Sequence, residues 1–516
     1  MRVLSSVLVF IICNVIQGQQ TFNNPVFWED LADIDVFRVD DVYYYSASSM
    51  HYSPGAPVLQ SYDLVNWEYV GHSVPTLDFL DNPAYNLTDG RAYVEGIWAS
   101  FLRHRRSNGL FYWGGCIQFT DTYIYTSPSA VGPWTQAAVI DNCYYDAGLL
   151  IDDDDTMYVA FGSVNISVAQ LAKDGLSQVS AQVVYNSTIG YIEGSRFYKI
   201  NGTYYILVTQ PASAEFVLKS TAGPLGPYEI QSLVSSVPSP VMDSGFPHQG
   251  GLVDTADGEW YYMAFVDSYP GGRIPVLAPI TWDSDGWPTV DLDDGGWATS
   301  YPYPTTPHIL APPTGIDNFD GPHLSPQWEW NHNPDTTKFN VDNGLTLQTA
   351  TITADLYSAR NTLTHRILGP NSTATVQLDF SSMTDGDQAG LALFRDSSAW
   401  IGVVRDSGVY SVVVVNNITM NETNWSTLYY GTEVARVEDT AECQIWFQVY
   451  ADIAPAGTHQ GIFSYSLDGE TFIELGPVFD MVTTWEFFMG YRFAIFNHAT
   501  ISLGGSILVK QFEISQ

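Results

Sequence analysis

Basic residues are scarce in this sequence. The 516 residues include 19 lysines and arginines against 56 aspartates and glutamates, which gives a formal net charge of -37. Binding to nucleic acid or to an anionic membrane is favoured by a positive surface, so both are poor partners for this chain. A neutral ligand suits this charge better.

Cysteines and long apolar runs are also few. Residues 1–18, "MRVLSSVLVFIICNVIQG", have the early arginine, apolar centre and small-residue end of a signal peptide. No later run reaches the roughly 20 apolar residues of a membrane span. We therefore expect an exported protein without a membrane anchor. Cleavage after Gly18 would leave Cys116, Cys143 and Cys443, so at most one intrachain disulfide can form. Pairing of Cys116 with Cys143 and three free thiols both remain open.

The composition is that of a large folded protein. Hydrophobic residues make up 45% of the chain and charged residues 15%, which is typical of a globular protein. A chain of this length is too long to fold around a single hydrophobic core, so we expect two domains. Eight Asn-x-Ser/Thr sequons predict a secreted glycoprotein; they start at Asn86, Asn165, Asn186, Asn201, Asn371, Asn417, Asn421 and Asn424.

A repeated pattern fills the first part of the chain. Each unit has a leading residue, a short apolar segment, a polar turn and an aromatic strand, as in "EGSRFYKINGTYYILVTQ" from Glu193. The turn chemistry is that of a β-hairpin. Five such units recur 47 to 63 residues apart, the interval of four-stranded propeller blades. The pattern predicts an all-β fold with a five-bladed β-propeller over residues 22–310.

The leading residues of the five units should meet at one mouth, because the innermost strand of every blade starts near the propeller axis. They are Asp33, the segment Gly96 to Trp98, Asp146, Glu193 and His248. Glycoside hydrolysis needs one protonated carboxyl, one carboxylate and an aromatic surface for the sugar. A third carboxylate raises the pKa of the acid by like-charge repulsion. These groups therefore predict a glycoside hydrolase.

Other interpretations of the same residues stay open. Acidic residues in the hairpin turns, such as Asp152 to Asp155, are expected to be solvated turn residues. His248 could be a structural histidine or a ligand, and Trp98 could be a core residue. A propeller that binds sugar without catalysis is a further alternative, although all three acids are present.

The ordered motifs "DIDVFRVDDVYYYSASS", "GIWA", "DAGLLIDDDD", "EGSRFYKINGTYYI" and "HQGGLVDTADGEWYYM" resemble glycoside hydrolase family 43. The resemblance implies an inverting enzyme in which Asp33 is the general base, Asp146 the pKa-raising acid and Glu193 the general acid. It also implies that His248 helps to hold one calcium ion on the propeller axis, largely through water. The family commonly has Asp-Pro where this chain has Asp33-Ile34 and Asp146-Ala147. Asp35 is an alternative base, because it lies two residues further on and so on the same side of an extended strand, but we keep Asp33.

The rest of the chain predicts a second domain. A proline-rich stretch at 301–315 is typical of a linker or of a segment that wraps between domains. Residues 317–516 show alternating strands and no helical period, which favours a β-sandwich. This region resembles the jelly-roll, concanavalin A-like sandwich appended to many family members. It could bind sugar, complete the active-site wall or only pack against the propeller. We favour packing.

Substrate specificity is predicted only from resemblance. The segments "WEDLADIDVFRVDDVYYYSAS" and "GIWAS" resemble exported α-L-arabinofuranosidases that remove arabinose from arabinoxylan, and a β-xylosidase is the alternative. We expect a pocket wall of Met50, His51 and Trp98, with Arg273 bonding sugar hydroxyls in a monomeric enzyme. A fructan-type propeller hydrolase is disfavoured, because neither Asn-Asp-Pro nor Arg-Asp-Pro occurs.

Overall fold

The computed structural model describes residues 20–438 and 443–516. The predicted signal peptide at 1–18 lies outside the described residues. The described chain is almost entirely β-structure, with short 3-10 helices at Pro83–Asn86 and Leu356–Ser358. None of the described helices has the length and apolarity needed to cross a membrane.

Strands of the first domain form five four-stranded antiparallel sheets within the described residues, which confirms the predicted propeller. The predicted polar turns, such as Asn201-Gly202, join the first two strands of each blade. In chain order the strands are β1 (Thr21–Asn23), β2 (Asp35–Val39), β3 (Val42–Ser46), β4 (Tyr52–Ser53), β5 (Gly55–Ser61), β6 (Trp67–Val74), β7 (Phe101–Arg105), β8 (Leu110–Ile117), β9 (Asp121–Ser127), β10 (Thr135–Ile140), β11 (Gly148–Ile151), β12 (Met157–Phe161), β13 (Asn165–Leu171), β14 (Gln178–Asn186), β15 (Glu193–Ile200), β16 (Thr203–Gln210), β17 (Ala214–Ser220), β18 (Glu229–Ser235), β19 (His248–Asp254), β20 (Trp260–Asp267), β21 (Arg273–Trp282), β22 (Pro288–Val290) and β23 (Ser300–Pro302).

The first strands of the blades close a ring around the axis. Strand β2 contacts β7, β7 contacts β11, β11 contacts β15, β15 contacts β19, and β19 returns to β2. Outside the blades, β1 pairs with β23 and so ties the start of the domain to its end. The leading residue of every unit therefore lies at the inner end of its blade, as the repeat predicts.

The second domain is a sandwich of two antiparallel sheets. Strand order is β26-β27-β39-β29-β34-β35-β36 in one sheet, and β33-β32-β31-β30-β38-β28-β25-β4 in the other. Residues such as Ile495 and Phe447 fill the core between the sheets. The strands are β24 (Gly315–Asp317), β25 (Trp328–Asn331), β26 (Phe339–Val341), β27 (Leu345–Gln348), β28 (Leu363–Arg366), β29 (Asn371–Asp379), β30 (Asp387–Phe394), β31 (Ser397–Asp406), β32 (Val409–Met420), β33 (Thr427–Glu438), β34 (Gln444–Asp452), β35 (Gln460–Ser466), β36 (Ile473–Glu474), β37 (Phe479–Asp480), β38 (Arg492–Ala499) and β39 (Ser506–Ser515).

The two domains share a sheet and a buried charge cluster. Strand β4 of the propeller pairs with β25 and so becomes the edge of the eight-stranded sheet. Nearby, the fully buried Glu329 accepts hydrogen bonds from Arg366 at 3.0 Å and Arg492 at 2.6 Å, and its carboxylate lies 3.1 Å from His72 of the propeller. Burying a carboxylate is costly unless it is paired. The interface between the two domains therefore contains specific charge pairs as well as apolar contacts.

The proline-rich stretch runs back along the first blade before it enters the sandwich. The backbone amide of His308 donates to Asp63 at 2.7 Å, and the His308 ring lies 4.7 Å from Tyr62. The first two cysteines of the described chain, Cys116 and Cys143, form a disulfide, and Cys443 is free and exposed.

Candidate active site

A pocket of about 240 Å³ opens at the propeller mouth. The structure brings together here the three predicted acids, which come from the heads of blades 1, 3 and 4. The lining residues are Asp33, Met50, Val94, Trp98, Ala99, Phe119, Tyr145, Asp146, Glu193, Gln249, Arg273 and Phe488.

The backbone around the pocket is unusually strained. Seven of the twelve lining residues have positive φ angles although none is glycine. Such conformations cost about 1 kcal/mol or more each, and they persist where the surrounding fold fixes them. The chain turns sharply at these points, so the side chains project into the pocket rather than along the strands. The seven are Asp33, Met50, Val94, Phe119, Asp146, Gln249 and Phe488.

Asp33 is held by one arginine of the fifth blade. Arg273 donates from Nη1 to Asp33 Oδ1 at 2.9 Å, and both side chains are buried. The Arg273 guanidinium also donates from Nε to the carbonyl of Phe488 at 3.0 Å. This contact engages one of the two Asp33 oxygens and fixes the orientation of the carboxylate.

Glu193 stands opposite a pair of tyrosines. The hydroxyls of Tyr145 and Tyr191 each donate to Glu193 Oε2 at 2.9 Å. Burial is the main cause that raises the Glu193 pKa, and the charge of Asp33 raises it further, whereas the two tyrosine hydrogen bonds oppose the shift. The surroundings thus favour the protonated form of this carboxyl more than water does.

Asp146 lies deeper and has two acidic neighbours. Burial raises the pKa of Asp146 well above its usual value, and the charges of Glu193 and then Asp33 raise it further. Arg196 and the backbone amide of Gly194 act in the opposite direction. Three carboxyls in one pocket therefore share fewer than three negative charges at a pH where isolated carboxyls are ionised.

A fully buried arginine joins the blade heads beneath the pocket. Arg196 donates to the backbone carbonyls of Asp33 at 2.7 Å, Ile34 at 2.7 Å and Ala147 at 3.0 Å. It lies on the strand that Glu193 begins, so one guanidinium connects the three acid-bearing blades. Gly148 makes this approach possible, because a Cβ there would come within 2.6 Å of the Arg196 Cα.

One wall of the pocket is aromatic. The Trp98 ring lies 4.7 Å from Phe119, and the Phe119 ring lies 5.2 Å from Tyr145. Trp98 is anchored by its Nε1, which donates to the Val94 carbonyl at 2.9 Å. Aromatic faces of this kind suit the apolar side of a sugar ring.

The sandwich domain supplies another part of the pocket lining. Phe488 lines the pocket and lies 5.8 Å from the Arg273 guanidinium. The neighbouring amide of Gly490 donates to Asp30 Oδ2 at 3.0 Å, while Asp30 Oδ1 accepts from the Arg273 amide at 2.8 Å. Our favoured interpretation of this domain as a packing partner alone was wrong, because one of its loops completes the pocket.

The predicted substrate-binding residues are only partly placed together. Met50, Trp98 and Arg273 line the pocket, and Arg273 uses its guanidinium on protein groups. His51 does not line the pocket, so the expected wall of Met50, His51 and Trp98 was wrong at His51. It is fully buried behind it, where Nδ1 accepts from the Val94 amide at 3.2 Å and the ring packs against Tyr93.

The alternative base Asp35 lies outside the pocket. Its carboxylate accepts from the Leu102 amide at 2.8 Å and from Arg103 at 2.5 Å, and it is fully buried between blades. The two aspartates do not share a strand face, because the positive φ of Asp33 interrupts the extended chain. Asp33 is the one that reaches the pocket.

His248 is buried beside the pocket but does not line it. Its Nδ1 lies 2.8 Å from the Phe246 carbonyl, and its ring packs on Phe265 at 4.6 Å. Among the described residues, no three histidine, cysteine, aspartate or glutamate side chains are grouped to hold a metal ion. A calcium ion held by three such side chains therefore has no support here, and an ion held largely through water at His248 stays a prediction.

Sequence reasoning missed several pocket residues. Tyr145 directly precedes Asp146, and Gln249 directly follows His248, so neighbourhood to a predicted site residue was a usable signal for both. Phe488 lies in "EFFMG", 215 positions from its partner Arg273. Nothing local marks that residue.

The chain matches two family models. Residues 22–288 match glycosyl hydrolases family 43, and residues 316–515 match the beta xylosidase C-terminal concanavalin A-like domain. A solved glycoside hydrolase of this family, engineered to display both endo-xylanase and exo-arabinofuranosidase activity, is 50% identical, with a TM-score of 0.92 over 96% of this chain and all of that one.

Curated relatives carry two kinds of name. A beta-xylosidase from Formosa agariphila is 27% identical and aligns with 90% of this chain and 85% of its own length. A non-reducing end alpha-L-arabinofuranosidase from Bacteroides ovatus is 28% identical, over 77% of this chain and 78% of its own. Fold, pocket and relatives together define a glycoside hydrolase. The chain belongs to glycosyl hydrolases family 43.

Proposed function

We propose that this protein is an inverting, exo-acting enzyme that releases a terminal pentose from hemicellulose, and that it is an α-L-arabinofuranosidase acting on side chains of arabinoxylan. Three carboxyls with different surroundings in one pocket are the observation that carries the proposal. An inverting glycosidase needs one carboxyl that is protonated and one that is ionised.

Glu193 serves as the general acid. Burial and the charge of Asp33 favour the protonated form of this carboxyl, which donates its proton to the leaving oxygen. Tyr145 and Tyr191 hold Oε2, and this bonding directs the carboxyl toward the pocket.

Asp33 serves as the general base. Arg273 fixes one oxygen of the carboxylate, and the ionised group takes a proton from the water that attacks the anomeric carbon. Asp146, when ionised, favours the protonated form of Glu193 by like-charge repulsion.

The small size of the catalytic pocket favours the removal of one terminal sugar. The pocket of about 240 Å³ is below the roughly 300–1,000 Å³ that drug-sized ligands occupy. Its lining comes from both domains, with Trp98 from the propeller and Phe488 from the sandwich, and this volume suits one pentose unit.

Similarity in sequence supports the arabinose assignment. The 50% identical structure belongs to a family 43 enzyme that was engineered to display both endo-xylanase and exo-arabinofuranosidase activity, and the second of these is the activity proposed here. The test is to incubate the purified protein with arabinoxylan and with xylobiose and to identify the released sugar by chromatography. We expect arabinose from the polymer and no xylose from xylobiose.

A β-xylosidase is the second candidate. The sandwich matches a domain model described from beta xylosidases, and several relatives carry that name. Release of xylose from xylobiose, with no arabinose from arabinoxylan, would replace the first proposal by this one.

Secretion and glycosylation are part of the proposal. None of the eight sequon asparagines is buried, so the folded chain leaves each accessible to a glycan. Enzymatic deglycosylation of the protein from a eukaryotic host should lower its apparent mass, and an unchanged mass would contradict the assignment.

A further inference from the structure

A second cavity lies on the sandwich domain, away from the three acids. It has a volume of about 540 Å³, more than twice that of the catalytic pocket. Its floor is the outer face of the eight-stranded sheet, formed by residues such as Gln388 of β30, Trp400 of β31, Val413 of β32 and His498 of β38.

Unpaired polar atoms mark this cavity as unusual. His498 is 1% exposed, and neither ring nitrogen has a hydrogen-bond partner among the described residues. Asp387 is fully buried, and its Oδ1 is likewise unpartnered within the described chain, while Oδ2 accepts from Thr384. Buried polar groups are normally satisfied, and each unmade bond is costly. Both side chains are among the residues that line the cavity, and these hydrogen bonds are unmade there.

The lining chemistry is that of a site for a neutral polyol. Burial lowers the pKa of His498 to about 4, so the ring is neutral near pH 7 and offers one donor and one acceptor. Arg436 is already paired with Glu433 at 2.8 and 2.7 Å, and Arg405 lies 3.3 Å from Asp385. The cations are thus neutralised, which disfavours an anionic ligand.

An aromatic side chain stands at the rim of the cavity. Tyr430 on the edge strand β33 is 60% exposed and lines it. An aromatic face beside several fixed donors and acceptors is the combination that binds the alternating CH and OH faces of a sugar. The volume falls in the range of about 300–1,000 Å³ typical of ligand sites, enough for more than one sugar unit.

The cavity and the catalytic pocket border the same buried cluster. Trp400 and Leu356 line the cavity, Met50 lines the catalytic pocket, and all three belong to one apolar cluster between the domains. A polymer chain held on the sheet is therefore held by the same rigid unit that carries the catalytic groups.

We propose that this cavity is a second carbohydrate-binding site that holds a xylan-type chain while the propeller removes its terminal or side-chain sugars. The inference rests on the proposed function for the identity of the ligand. Holding the polymer raises its local concentration at the catalytic pocket.

The test uses the full-length protein in native gels that contain arabinoxylan. Glu193→Gln is the background, so that the polymer stays intact. Tyr430→Ala and Gln388→Ala in that background should each weaken retention by about fivefold or more, because each removes a direct contact. Tyr429→Ala is the matched control, since Tyr429 is also 60% exposed but does not line the cavity.

The possible results of this experiment distinguish the proposed site from its absence. Loss of retention in the Tyr430 and Gln388 variants, with normal melting temperatures and a normal Tyr429 variant, supports the site. Equal retention of all variants in the arabinoxylan gel overturns the proposal. Retention of the Glu193→Gln protein in a β-glucan gel as strong as in the arabinoxylan gel also overturns it, since the ligand would then not be a pentose chain. Hydrolysis of an aryl arabinofuranoside by the unmutated protein tests the proposed function independently, because that small substrate has no polymer chain to hold.

Discussion

At the scale of single residues, the three carboxyl side chains of the pocket have different surroundings. Asp33 faces an arginine, Glu193 faces two tyrosine hydroxyls, and Asp146 is buried next to the other acids. Environments that separate the pKa values of neighbouring carboxyls are the means by which one site performs acid and base steps together. Each acid therefore has its own experimental signature.

Glu193→Ala should nearly abolish cleavage of substrates with poor leaving groups, because protonation of the leaving oxygen is the role we propose for this residue. Aryl glycosides with activated leaving groups should lose much less activity. The measurement is kcat/KM for both substrate types. Equal losses would contradict the role of Glu193 as acid while leaving it in the site.

Asp146→Asn should lower kcat by roughly 10²- to 10⁴-fold with a much smaller change in KM, the range for a disabled acid–base catalyst. The charge of Glu193 raises the pKa of Asp146, and because like-charge repulsion is mutual, removing the charge of Asp146 should lower the Glu193 pKa. The alkaline limb of the pH-rate profile should then move to lower pH. If the variant keeps normal activity and the alkaline limb of its pH-rate profile does not move, Asp146 has only a structural role.

The positions of the acids could be predicted from sequence, whereas details of the wall could not. Asp33, Asp146 and Glu193 stood out because each precedes a strand in a repeated unit. His51 was misplaced because its neighbour Met50 turns through a positive φ, which reverses the side of the chain that faces the pocket. A pattern of residue types does not report such turns.

At the scale of elements, the most informative segment is the loop that carries Phe488. It touches the propeller at Arg273 through the Phe488 carbonyl and at Asp30 through the Gly490 amide. Repeats and turns made the blades and the sandwich strands predictable. This contact joins chain positions hundreds of residues apart, so local sequence carries no sign of it.

Phe488→Ala should raise KM for a small pentoside by up to about tenfold, since an aromatic contact is worth roughly 0.5–1.5 kcal/mol. The effect on kcat should be smaller, because the carbonyl that binds Arg273 belongs to the backbone and is retained. Steady-state kinetics separate the two constants. Phe488→Leu, which keeps an apolar wall, should restore part of the affinity, and an unchanged KM in both variants would remove Phe488 from the substrate site.

At the scale of the whole molecule, the domains form one unit through buried charges. Glu29 of the propeller is 2% exposed and accepts from Tyr69 at 2.6 Å, close to Glu329 and the two arginines of the sandwich. Burial raises the pKa of Glu29 to about 7. The interface therefore contains a carboxyl that is protonated in the folded protein under conditions where it is ionised in the unfolded chain.

This difference predicts a pH-dependent stability. Between about pH 4.5 and 7 the folded protein binds the Glu29 proton and the unfolded chain does not, so the Glu29 contribution to stability falls as pH rises. Over this range the loss is up to about 3 kcal/mol. Glu29→Gln should flatten the fall of melting temperature across this window, measured by calorimetry. Parallel curves for the variant and the unmutated protein would contradict the shifted pKa.

The central claim is that Asp33 and Glu193 act from opposite sides of the bond as base and acid of an inverting hydrolysis. The most direct measurement is proton NMR of the first sugar released from an aryl pentoside, recorded before mutarotation. We predict that the initial product has the anomeric configuration opposite to that of the substrate, because a water activated by Asp33 attacks the face opposite the leaving group. An initial product that retains the configuration of the substrate would contradict the mechanism.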